Sequence, residues 1–99
     1  MNTKSVQATG MVWYLAEDFA QVKALMKDGH ALHLTHADWQ RDAEQLEQRL
    51  RAQGVRVYRA VLRPAEFRDW CAARGLDVDA KGRNEFSAWF ARQEYSKGR

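Results

Sequence analysis

The sequence is short of the residues that staple or punctuate many small proteins. A single cysteine, Cys71, stands among 99 residues. No internal disulfide can form, and a zinc site built from cysteine alone is excluded. Proline occurs once, at Pro64, and the six glycines stand singly, so no glycine-rich loop is available to cradle a phosphate. Long apolar runs are missing too. Nothing approaches the roughly 20 apolar residues of a membrane span, and MNTKSVQATG lacks the apolar segment of a secretory signal. A cytoplasmic setting with no membrane partner is expected. There is no internal repeat and no low-complexity tract.

The chain has enough bulk for one core. Hydrophobic residues make up 45%, and four Trp, four Phe and three Tyr supply large side chains. A flexible arm is expected over 1–10, a single domain over 11–95 and a flexible tail over 96–99. Charge is unevenly spread. Residues 1–50 carry 5 Lys/Arg against 7 Asp/Glu (−2), and residues 51–99 carry 11 against 6 (+5). Eleven of the 16 cations are arginine. Arginine suits two-pronged contacts with phosphate or carboxylate, and it also accompanies GC-rich bacterial genomes.

The best-punctuated stretch is Val55–Gly75. It predicts a strand to Leu62, a helix started by Pro64 and a glycine stop. Upstream, Met11–Ala16 reads as a strand apolar on both faces. Glu17 and Asp18 suit the start of a helix carrying Phe19, Val22, Leu25 and Met26. The alternation in Ala31–Thr35 predicts a short second strand. Thr35 and Asp38 then open an amphipathic helix with Trp39, Ala43, Leu46 and Leu50 on one stripe. Leu76–Gly82 reads as a connector, and Asn84 as the cap of a last helix carrying Phe86, Trp89 and Phe90.

The resulting order, β-α-β-α-β-α-α, predicts an α/β fold: a small, three-stranded, mainly parallel sheet of order 2-1-3. An α+β sheet with antiparallel pairing is the alternative. The 2-1-3 order would open a crevice at the carboxyl ends of the strands, near Glu17, Asp18, Thr35, His36 and Arg63. This element order is similar to halves of thioredoxin-like and flavodoxin-like folds. The chain has no Cys-x-x-Cys pair, however, and fold analogy alone implies no function.

Candidate chemistry is sparse. His30, His33 and His36 cannot converge on one metal from a strand, whose alternate side chains point to opposite faces. Asp77, Asp79, Lys81 and Gly82 imitate a calcium loop. Yet Lys81 would put a cation among the ligands, and Ala88 stands where a bidentate glutamate belongs. Cys71 sits beside Trp70 on the predicted inner face of a helix, a setting for core cysteine. Neither a metal, a cofactor nor a catalytic group is expected.

The basic second half is the strongest signal. Arg56, Arg59, Arg63, Arg68 and Arg74, with Tyr58 among them, are the expected partner-binding residues. The expectation is a non-enzymatic accessory protein that binds another protein as adaptor, subunit or inhibitor, with pairing between copies also open. The alternative is a nucleic-acid-binding protein that contacts phosphates through the same arginines and stacks bases on Tyr58.

Overall fold

The structure, a computed structural model, describes residues 7–98. Two strands, β1 (Ala8–Trp13) and β2 (Arg56–Val61), pair in parallel, in register from Ala8↔Arg56 to Trp13↔Val61. Between them run helices α1 (Phe19–Leu25) and α2 (His36–Ala52), and after them α3 (Pro64–Ala73) and α4 (Ala80–Lys97). Short 3-10 turns at Ala16–Asp18 and Gly29–Ala31 flank α1.

Local chemistry sets the helix ends. The Thr35 hydroxyl accepts from the Asp38 N–H at 3.1 Å and caps α2. Pro64 opens α3. Gly54 and Gly75, at φ +84° and +67°, turn the chain out of α2 and α3 in the left-handed conformation. The last helix starts earlier than Asn84. Asp79 caps it, its carboxylate accepting from the Gly82 N–H at 3.0 Å.

The fold is mixed helix and strand, but among the described residues the three-stranded sheet of order 2-1-3 is not found: the sheet holds two strands. Ala31–Thr35 is not a strand. The N–H groups of Ala31 and Leu32 bond back to Asp28 and Gly29 in a 3-10 turn. Leu32 packs against the core, the His33 ring pairs with Asp42 at 2.8 Å and Leu34 is 85% exposed. The apparent alternation therefore separates one core anchor from one solvent-facing side chain, with no ladder between. The first strand is also displaced. It starts at Ala8, inside the span expected as an arm, and ends at Trp13 because Ala16 already begins a turn. Residues 1–6 of that arm, and Arg99 of the expected tail, lie outside the described residues; Ser96 and Lys97 are helical.

Helices cover both faces of the strand pair. On one face α4 lies so close to β1 that a Cβ on Gly10 would run into the Ser87 carbonyl. On the other, Trp13 meets Trp39 of α2 edge-to-face, with ring centroids 4.9 Å apart. Phe67, Leu62, Val22 and Cys71 are the most deeply buried large side chains. A second aromatic cluster, Phe67, Trp70, Phe86 and Trp89, joins α3 to α4. Among the described residues no helix is long and apolar enough to cross a membrane.

The contact at Gly10 has no room for a methyl group. Gly10→Ala is expected to lower the unfolding free energy by about 1–3 kcal/mol, measured as a shift in the urea midpoint at unchanged slope.

Candidate functional site

The six residues expected at the partner surface do not share one environment. Arg59 leaves β2 toward α2 and grips Glu47 with two hydrogen bonds of 2.8 Å, from Nε and from a terminal nitrogen. Its guanidinium lies 3.7 Å from the Trp13 ring centre. Glu47 is only 4% exposed and also accepts from Arg51 at 3.1 Å. Arg59 thus closes the α2 side of the sheet.

Arg63 is committed in the same way. Parallel pairing places the carboxyl ends of β1 and β2 side by side, so Arg63 after β2 meets Asp18 and Glu17 after β1. Asp18 is buried. Of the residues expected at the crevice, Glu17, Asp18 and Arg63 are brought together here, as an ion pair between the ends of the two strands, while Thr35 caps α2. His36 is close by, its Nε2 2.7 Å from the Tyr14 carbonyl oxygen and its ring against Phe19 and Trp39. Arg68 pairs with its neighbour Asp69 at 3.1 Å.

Arg56, Tyr58 and Arg74 remain. Arg56 is exposed at the start of β2, its guanidinium 3.5 Å from the Tyr58 hydroxyl. Arg74, where α3 ends, donates to the Trp70 carbonyl at 3.2 Å. It lies over the Trp70 ring at 4.2 Å and faces Trp89 at 5.6 Å. Neither Arg56 nor Arg74 has a carboxylate partner among the described residues.

Arg74 opens onto a surface that sequence reasoning missed. Glu85, Ala88, Arg92 and Tyr95 recur every three or four residues along one flank of α4. With Trp70, Arg74 and Trp89, the first part of this flank lines a hollow of about 200 Å³. Farther along, Ala88, Ala91, Arg92, Tyr95 and Ser96 face Ala8, Thr9 and Gly10 of β1 across a groove of about 520 Å³. Ala88 and Arg92 border both, so the two hollows form one surface. Arg92 also lacks a carboxylate partner among the described residues. The signal that could have located this flank was its spacing of three and four, overshadowed by the apolar face of the same helix.

Other titratable groups serve the interior. Asp28 and Arg83, 55 residues apart, form a bidentate pair at 2.8 and 2.9 Å, and this guanidinium holds the Asp28 carboxyl below its usual range. Burial pushes the Tyr14 hydroxyl up to about 12 and raises the Cys71 thiol, which is 1% exposed, so neither supplies a reactive anion near neutral pH. Among the described residues no three His, Cys, Asp or Glu side chains are grouped to hold a metal ion.

Together these features define a small helix-rich α/β domain with an arginine–aromatic surface along α4. Residues 2–97 match the family described as a domain of unknown function, DUF8829, and the chain belongs to that family. No curated protein and no solved structure matches the chain.

The Glu47–Arg59 pair gives the fold a defined response to acid. Hydrogen bonding to Arg59 holds the Glu47 carboxyl below its ordinary value, against the opposing effect of burial. A carboxyl depressed by folding adds stability above its unfolded pKa of about 4.3 and loses it as pH falls through the lower folded value. Urea midpoints measured below pH 5 should therefore fall less steeply in Glu47→Gln than in the wild type. Arg59→Ala, which strips the buried carboxylate of its two shortest bonds, should cost about 3 kcal/mol at pH 7.

Proposed function

We propose that this domain is a non-enzymatic accessory protein of the cytoplasm that binds another protein as an adaptor, subunit or inhibitor. Its contact surface is the arginine–aromatic flank of α3 and α4. The observation that carries this reading is Arg74 laid over Trp70 and facing Trp89, with no carboxylate partner among the described residues. An arginine already ordered on an aromatic ring loses little side-chain freedom on binding, and Trp, Tyr and Arg are the residue types that anchor protein interfaces.

Of the residues expected from the sequence, Arg74 is part of this surface, while Arg56 and Tyr58 stand on β2, outside the lining of both hollows. Arg59, Arg63 and Arg68 are already paired with carboxylates. That pairing favours a protein partner over nucleic acid, because phosphate binding draws its affinity from several free cations acting together.

The test is affinity capture from the native host, with and without nuclease, using the wild type and an Arg74→Glu/Arg92→Glu variant. The expected result is a captured protein that survives nuclease and is lost with the double variant. Capture that vanishes with nuclease would transfer the surface to nucleic acid; capture untouched by the substitutions would remove the surface from the interaction.

A further inference from the structure

The groove beside β1 contains more than charge. Its lining takes three consecutive residues of β1, Ala8, Thr9 and Gly10, and none of β2, which places it along the outer edge of the strand. The ladder says which backbone groups face it. The Arg56 N–H donates to the Gln7 carbonyl and the Leu62 N–H to the Trp13 carbonyl, so odd-numbered residues of β1 point toward β2. In a parallel pair the even-numbered ones then point away. The N–H and C=O groups of Ala8 and Gly10 therefore look outward; among the described residues no backbone partner meets them, and only the Thr9 hydroxyl, at a long 3.5 Å, donates to the Gly10 carbonyl.

The helix flank runs beside that edge. Gly10 packs on Ser87 and Ala91, while Ala8 shares its groove with residues as far along as Ser96, so α4 runs opposite to β1. From Glu85 to Ser96 the flank is about 16 Å long at 1.5 Å per residue. That is the span of about five residues of extended chain.

We infer that an extended, acidic segment of a partner protein adds to the outer edge of β1 as a third strand, with its carboxylates on Arg92 and Arg74. The inference rests on the interaction-module reading and specifies its partner. Three features converge on this occupant. Unpaired backbone groups on an edge strand recruit another strand through main-chain hydrogen bonds. Side chains of an added strand alternate, so every second one would meet the wall formed by Ala88, Ala91, Arg92 and Tyr95. Two arginines without carboxylate partners among the described residues, against the single acid Glu85, make that wall attract negative charge.

The test uses labelled seven-residue peptides of alternating glutamate and valine, the same peptides with lysine for glutamate, and a thymidine oligonucleotide of matched charge. Binding is read by fluorescence anisotropy at ~50 and ~200 mM salt. The acidic peptide should bind the wild type, and the lysine peptide should not. Ala8→Pro removes an outward N–H without touching a ladder bond, and it should weaken binding at least tenfold, as should Arg92→Glu. Ala88→Trp fills the groove from an exposed helix position and should do the same even if the proline variant fails to fold. Equal binding by all three variants, or no binding by the wild type, overturns the inference. Loss with Arg92→Glu alone also overturns edge pairing but leaves the arginine surface standing. Preference for the oligonucleotide overturns both this inference and the protein-partner reading. Self-association of the wild type that Ala8→Pro abolishes would assign the edge to a second copy and overturn the inference.

Discussion

A parallel pair of six-residue strands has two faces to cover and few backbone bonds of its own, and the rest of this chain is arranged around that constraint. A sheet so narrow is marginal unless helices pack on it. On one side α4 meets β1 at van der Waals distance because Gly10 has no side chain to hold it away. On the other, Trp13, Trp39 and Phe19 fill the space below α2, and Arg59 reaches across to Glu47. Removing any of these layers would expose a strand pair with nothing beneath it.

Much of this was readable where local signals agree. Val55–Gly75 carries β-branched residues, a proline at the only helical position that welcomes it and a glycine at a left-handed stop, and its strand and helix formed as expected. Thr35 and Asp38 marked the start of α2 equally well. Reading failed where one pattern has two physical causes. Leu32 and Leu34 alternate around His33 as they would on a strand, yet the two leucines end in opposite environments and the backbone bonds are 3-10. Asp79 and Asn84 are both competent caps, and only the bond from the Gly82 N–H shows which of them is used.

The charge count was legible in total and misleading in detail. A sequence shows five arginines from Arg56 to Arg74 as one basic tract, but two of them, Arg59 and Arg63, find their partners far away in the chain. Glu47 is 12 residues from Arg59 and Asp18 is 45 from Arg63. Those carboxylates are buried, so the charge of Arg59 and Arg63 is balanced by groups that the tract itself does not contain. All five arginines reach the surface, and Arg74 does so among the aromatic rings of α3 and α4 without a carboxylate partner among the described residues.

The register of the sheet also bears on how the chain finds its fold. Ala8 and Arg56 are partners although 48 positions separate them. Closing a flexible loop of that length costs about 3 kcal/mol of chain entropy beyond a constant. No ladder bond offsets this until both strands meet. The helices between them are local and form on far shorter timescales than a long-range strand pairing. The assembly order that follows has α2, with its cap and its Trp39 stripe, as the early surface on which β1 and β2 are gathered. The only sheet in the described chain is then its last element to form, and the slowest step is the search of two distant segments for one another.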